Sequence, residues 1–223
     1  IFGSMITIGK ITQILDEWAP LDYAEDFDNV GLLVGNKNGE VKGILITHDC
    51  LAEVVDEAIE KKCNLIICFH PIIFKGLQKL SGNSHVEQAV NKAIKNDIAI
   101  YAVHTALDNQ VHGVSFGLSQ ALGLVHTSTL LPKENTIKKL NFYIPKQQAQ
   151  EVHNALFSVG AGSIGHYDEC SFSSEGKGSF RPLENSNPYV GKSGKRHIED
   201  EVQIQMVFQK HIESKVIDAL ISN

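Results

Sequence analysis

Three histidines each close a short apolar run: Ile44-Leu45-Ile46-Thr47-His48, Leu65-Ile66-Ile67-Cys68-Phe69-His70 and Ile98-Ala99-Ile100-Tyr101-Ala102-Val103-His104. Imidazole is the commonest metal ligand and titrates near neutrality, so histidines at equivalent positions point to a divalent cation or to acid–base work. Acids accompany them. Asp49 follows His48, and Asp108 comes four residues after His104, so a helical turn there sets His104 and Asp108 on one face. Imidazole and carboxylate together suit zinc, iron or manganese, whereas magnesium and calcium prefer all-oxygen shells. Asp49 fits either a ligand or a carboxylate that orients a liganded histidine. Taken singly, a strand-end histidine is more often a hydrogen-bonded structural residue, and Asp108-Asn109 passes for a turn or helix cap. Three histidines meeting on one edge with two acids nearby favour the metal.

That meeting depends on the elements that carry the residues. The three runs lack polar alternation and read as strands buried on both faces, as in a parallel sheet. Between them, Val54, Val55, Ala58 and Ile59, then Val86, Ala89, Val90, Ala93 and Ile94, lie at helical spacing. Right-handed crossovers make such strands parallel and open their carboxyl ends on one edge, where open α/β sheets place ligands. Pro71, which cannot donate to a ladder, ends the second strand at His70. An opening helix over Ile8 to Trp18, a turn and strand over Asp28 to Gly35 and a helix over Phe116 to Leu122 complete a first region, residues 5–130.

From residue 131 to 223 the texture changes. Leu140, Phe142 and Ile144 alternate with polar neighbours, a helix carries Ala149, Val152 and Leu156, Val202 to Phe208 alternates again, and Ile212, Val216, Ala219 and Leu220 share a helical face. The order suggests a small α+β sandwich of ferredoxin-like type without a closing strand. Gly176-Lys177-Gly178, in a glycine- and serine-rich stretch, reads as a flexible loop before an anion cradle. The fold class expected for the whole is α/β, a doubly wound, mostly parallel sheet domain with a smaller α+β domain.

Composition narrows the function. With 43% hydrophobic and 21% charged residues the 223-residue chain is ordinary globular protein. A net charge of −6 with no basic run gives no footprint for nucleic acid or an anionic membrane surface. No apolar stretch reaches the length of a membrane span and no secretion signal opens the chain, so a cytoplasmic location is expected. Ile1-Phe2-Gly3-Ser4 reads as a foreign leader, with the native chain expected to begin at Met5. Cys50, Cys63, Cys68 and Cys170 have no paired metal spacing and read as buried free thiols. The seven remaining histidines, His85, His112, His126, His153, His166, His197 and His211, have no partner at diagnostic spacing.

Three strings, Asp28-Asn29-Val30-Gly31-Leu32-Leu33-Val34-Gly35, His70-Pro71-Ile72-Ile73-Phe74-Lys75-Gly76-Leu77 and His104-Thr105-Ala106-Leu107-Asp108-Asn109, resemble in order and spacing the NIF-three-like dinuclear-metal-centre family, the type 2 GTP cyclohydrolase I homologues. Gly165-His166-Tyr167-Asp168, Ser171-Phe172, Gly178-Ser179-Phe180 and Pro188-Tyr189-Val190-Gly191 resemble its inserted domain, which is similar to nitrogen-regulatory PII-like proteins. The resemblance implies a metal domain, a PII-like insert and a homohexameric ring whose metal centres face an internal cavity. It implies His70 and Asp108 as ligands, His104 as a nearby ligand or supporting partner, and Asp49 and Asp28 lining the same pocket. One or two divalent ions per subunit, zinc, iron or manganese, follow from it.

Two departures are visible. Phe69 stands where most bacterial members have the first histidine of a His-His-Pro motif, and a further histidine and glutamate belong to a part of the metal domain beyond Asn223. The expected activity is a metal-dependent hydrolase or cyclohydrolase acting on a small molecule or nucleotide, with Asp49 or Asp28 as proton acceptor. The alternative is a metal-handling or regulatory scaffold assembled as a ring.

Overall fold

The computed structural model describes residues 5–223, so the reading of Ile1-Phe2-Gly3-Ser4 lies outside the described residues. By compactness the chain separates into one unit that ends at Lys133 and another over Glu134–Asn223.

The first unit holds helix α1 (Ile8–Trp18), β1 (Gly31–Val34), β2 (Ile44–Thr47), α2 (Ala52–Glu60), β3 (Leu65–Cys68), α3 (His85–Lys95), β4 (Ala99–Ala102), the single turn α4 (His104–Asp108) and α5 (Val114–Ala121). Its sheet has the order β1-β4-β3-β2, with β2, β3 and β4 parallel and β1 antiparallel to β4. Alternate residues of the central strands feed two cores. Ile66, Cys68, Ile100 and Ala102 pack with Val55 and Ala58 of α2 and Ala89, Val90 and Ala93 of α3. On the opposite face Leu65, Ala99 and Tyr101 meet Ile8, Ile11 and Leu15 of α1. Helices therefore cover both faces, the doubly wound α/β arrangement.

Helix starts follow their sequence signals. Thr7 accepts from the Lys10 amide through its side chain, and Ser84 accepts from that of Glu87. The Glu87 carboxylate turns back to accept from the amides of Gly82 and Asn83, tying down the loop that leads into α3. Gly35 closes β1 with φ +107°, and a Cβ there would lie 2.6 Å from that of Ala99, so only glycine lets the edge strand approach β4.

One expectation needs correction. β2 is not buried on both faces: Leu45 packs into the α2/α3 core, but Ile46 on the other face is 79% exposed. β2 is an edge strand, and α1 packs against residues of β1, β3 and β4 rather than those of β2.

The second unit runs β5 (Ile137–Pro145), α6 (Ala149–Ser158), β6 (Phe172–Phe180), β7 (His197–Gln209) and α7 (Glu213–Ser222), with a fully antiparallel sheet ordered β5-β7-β6. Val202, Ile204, Met206 and Phe208 of β7 and Leu140, Phe142 and Ile144 of β5 meet Val152 and Leu156 of α6 and Val216 of α7, so both helices lie on one sheet face. Gly176-Lys177-Gly178 is not a loop. It lies inside β6, paired with Glu199 to Glu201 of β7, where a Cβ on Gly178 would fall within 3 Å of the Glu201 carboxylate. Gly178 makes room for the Glu201 carboxylate, and Lys177 pairs with Asp200 at 2.7 Å. Among the described residues no helix is long and apolar enough to cross a membrane.

Ile100 is fully buried at the centre of the first sheet, between β1 and β3. Ile100→Ala is expected to destabilise the first unit by about 2–5 kcal/mol through lost burial and a residual cavity. Chemical denaturation followed by a probe placed in that unit measures it, and a loss below about 1 kcal/mol contradicts the packing described.

Candidate metal centre

The parallel ladder continues past the ends of the strands and carries the histidines with it. The amide of Phe69 donates to Thr47 O, that of His70 to His48 O at 3.0 Å, that of Val103 to Cys68 O, and that of His104 to Phe69 O at 3.0 Å. The chain is thus held in register until each histidine has emerged at the carboxyl edge. The rings gather there: His48 and His70 have centroids 4.5 Å apart, and His70 and His104 5.2 Å. Phe69 sits among them, stacked on His48 at 5.3 Å and edge-on to His104 at 5.5 Å.

Two carboxylates at opposite ends of the exposure scale fix these three rings. The Asp28 side chain is 0% exposed. It accepts from His104 Nδ1 at 2.9 Å through both oxygens, from the Thr105 amide at 3.1 Å, from the Thr105 hydroxyl and from the Asn29 amide at 2.8 Å. Burial pushes the pKa of Asp28 up, but the Thr105 hydroxyl, the His104 ring and the two amides outweigh it and hold the carboxyl below the usual range. A carboxylate can only accept, so His104 carries its proton on Nδ1 and, when neutral, leaves Nε2 as a lone-pair donor. His104 adopts φ +24°, in the left-handed region, at the mouth of α4, and the bonds to Asp28 hold it in that conformation.

Asp49 works in the open. Its two oxygens reach His70 Nδ1 at 2.8 Å and His48 Nδ1 at 3.0 Å, and the His48 and His70 contacts lower its pKa. Among the described residues, His48, Asp49 and His70 form a group whose donor atoms all lie within 4.8 Å of one another.

The sequence-predicted residues fall as follows. His70 and His104 meet at the edge. Asp108 ends the turn that His104 begins, half-buried, but it does not join the compact three-donor group. Asp49 borders the cleft, whereas Asp28 lies enclosed behind His104 and is spent on holding it. The clamp from Thr105 was not anticipated. Its hydroxyl also accepts from the Glu25 amide, tying the segment before β1 to α4, and nothing in a lone threonine announces that role.

Beside the histidines opens a cleft of about 470 Å³ lined by Asp49, Cys50, His70, Phe74, Lys75 and His85 among others. All four cysteines are free, Cys50 and Cys68 buried, Cys63 and Cys170 half-buried. Burial pushes the Cys50 thiol up to about 11 and that of Cys68 up to about 12, so neither offers a thiolate at neutral pH.

Two imidazoles and a carboxylate, with a third imidazole alongside, are the donor chemistry of a borderline divalent cation, and the residues present fit one. Comparison with known proteins gives the family. The model of the Duf34/NIF3 (NGG1p interacting factor 3) family matches residues 6–215. The chain belongs to this family. A GTP cyclohydrolase 1 type 2 homolog of Bacillus subtilis is 41% identical over 215 residues, which are 96% of this chain and 58% of that relative. The crystal structure of a Bacillus cereus protein related to NIF3 superposes with a TM-score of 0.82 at 37% identity, covering 99% of this chain and 58% of the other. Staphylococcus aureus protein SA1388 gives a TM-score of 0.66 at 33% identity, with 99% and 57% covered. The chain thus spans less than two thirds of the length of these relatives.

The enclosed Asp28 makes a pH-dependent prediction. Its folded pKa lies below the unfolded value of 3.8, so its contribution to stability is present above 3.8 and is lost as pH falls through the depressed folded value. Asp28→Asn in metal-free protein is expected to cost about 1–3 kcal/mol at pH 7, from weakened charge-assisted bonds. The gap between variant and wild type should narrow as pH drops below 3.8, measured by denaturant titrations across the acid range; a gap that widens on acidification contradicts the assignment.

Proposed function

We propose that the chain is the metal-binding part of a divalent-metal-dependent hydrolase, GTP cyclohydrolase type 2-like in the sense of the relatives' names, acting on a small molecule or nucleotide. The observation that carries the reading is the convergence of His48, His70 and His104 on one sheet edge, with carboxylates on their Nδ1 atoms, beside a cleft of small-molecule size. His70 and His104 are the imidazole donors, and Asp108, one helical turn from His104, is the carboxylate ligand brought by the family resemblance. Zinc, iron and manganese suit the set.

When bound, a divalent cation would supply Lewis acidity, polarising a carbonyl or phosphoryl group through its oxygen and making water nucleophilic near neutral pH. The protein's own groups do the rest. Asp28 holds His104 in one tautomer and one orientation, so that its Nε2 lone pair faces away from the anchor. Phe69 and Phe74 flank the His104 ring at 5.5 and 6.5 Å and limit water around it. Asp49, exposed beside His70 with a depressed pKa, is ionised at neutral pH and placed to accept a proton at the cleft wall. Cys50, on the same wall, stays a protonated thiol and takes no nucleophilic part.

The test is turnover. Protein loaded with zinc, iron(II) or manganese is offered a panel of nucleoside triphosphates, cyclic nucleotides and phosphodiesters, with product read by chromatography. Product should form with at least one substrate, vanish on chelation, return with metal, and fall to background in His70→Ala. Stoichiometric metal uptake with no product from any substrate favours the scaffold reading instead.

A further inference from the structure

The group at the end of β2 assigns His48 a role that neither the motif positions nor the proposed ligand set gives it. His48 and Asp49 leave β2 together and meet His70, which leaves β3, and each histidine turns Nδ1 to a different oxygen of the Asp49 carboxylate, at 3.0 and 2.8 Å. Ligands around a cation at about 2.0–2.2 Å lie roughly 3 Å apart, so these separations match those of metal donors. Each neutral imidazole carries one ring proton, and moving it to Nε2 turns Nδ1 into a lone-pair donor toward the same point with no net proton change. Nothing else claims His48. Its side chain is 69% exposed and forms no core, yet its ring is held nearly parallel to Phe69, with 13° between the planes. An exposed histidine held by an aromatic face below and a carboxylate beside it has lost freedom that a surface side chain normally keeps.

We propose that His48, Asp49 and His70 form a three-donor site for a borderline divalent cation, with His48 supplying the imidazole that the Phe69 position does not. The proposal rests on the reading of this edge as a metal centre and specifies which residues close it. On this proposal Asp49 is a ligand of the loaded centre, and that role replaces the proton-accepting one given to it above. Phe69 touches all three imidazoles, at 5.3, 5.1 and 5.5 Å from His48, His70 and His104, so an imidazole introduced at position 69 enters the same donor cluster.

The test uses zinc and cobalt(II) alone, with no substrate. Competition titration against a chromophoric chelator gives the affinity, and the cobalt d–d spectrum reports the ligand field. Wild type is expected to take up an ion that His48→Ala and Asp49→Asn bind at least about 100-fold more weakly, with an altered cobalt spectrum and an unchanged melting temperature of the metal-free protein. In the double variant His48→Ala/Phe69→His the affinity should recover at least about tenfold. Unchanged affinity and spectrum in His48→Ala, together with loss in His70→Ala and Asp108→Ala, overturns this proposal and leaves the metal centre standing on the other ligands. Loss in His48→Ala with none in Asp108→Ala upholds it and removes Asp108 from the centre. No uptake by wild type overturns both.

Discussion

The candidate centre depends on the register of three parallel strands. Thr47, Cys68 and Ala102 lie side by side at the carboxyl ends of β2, β3 and β4, and four further backbone hydrogen bonds carry the alignment beyond them. Parallel pairing needs a crossover, and each crossover here is a helix whose apolar stripe docks on the same sheet face, so α2 and α3 set the register as they bury Val55, Ala58, Ala89 and Ala93. A slip of one residue would send the histidines to the other side of the sheet and take Ile66 and Ile100 out of the α2/α3 core. Core packing and site geometry are therefore one constraint, and the site needs no strain of its own beyond His104.

Two carboxylates then divide the work by exposure. Asp28, enclosed and supplied with donors from His104, Thr105 and Asn29, is a fixed anion whose partners cannot exchange without leaving a buried group unsatisfied. Asp49, open to water, holds its histidines by two bonds that solvent or a cation can replace. The same residue type serves as anchor in one place and as an exchangeable partner in the other, because desolvation makes the first arrangement costly to break and leaves the second labile.

Much of this was legible in the residues. Uniform apolar runs ending in histidine gave β3 and β4, 3.6-residue periodicity gave α1, α2 and α3, and the family resemblance together with helix–strand order gave the α/β fold with its smaller α+β partner. The misses share a cause. A run of apolar residues states what a strand can bury, not what packs against it, so β2 read as buried on both faces although Ile46 faces outward at the sheet's edge. Gly176-Lys177-Gly178 read as a loop because glycine has low strand propensity, whereas in β6 the space left by Gly178 is filled by Glu201 from the neighbouring strand, a complementarity that no single strand displays.

His48 shows the same limit at the level of chemistry. In the sequence it is a histidine next to an aspartate, as fit for solvent as for a ligand, and the strings that carry the family resemblance do not include it. What separates the two readings is the bond from Asp49 to a second histidine 21 residues away, together with the aromatic face of Phe69, and both exist only once β2 and β3 pair. A contiguous motif locates the part of a site that lies in one stretch of chain. Donors recruited across a sheet are set by register, and for them the physical argument runs from backbone pairing to side-chain separation before any assignment of a ligand can be made.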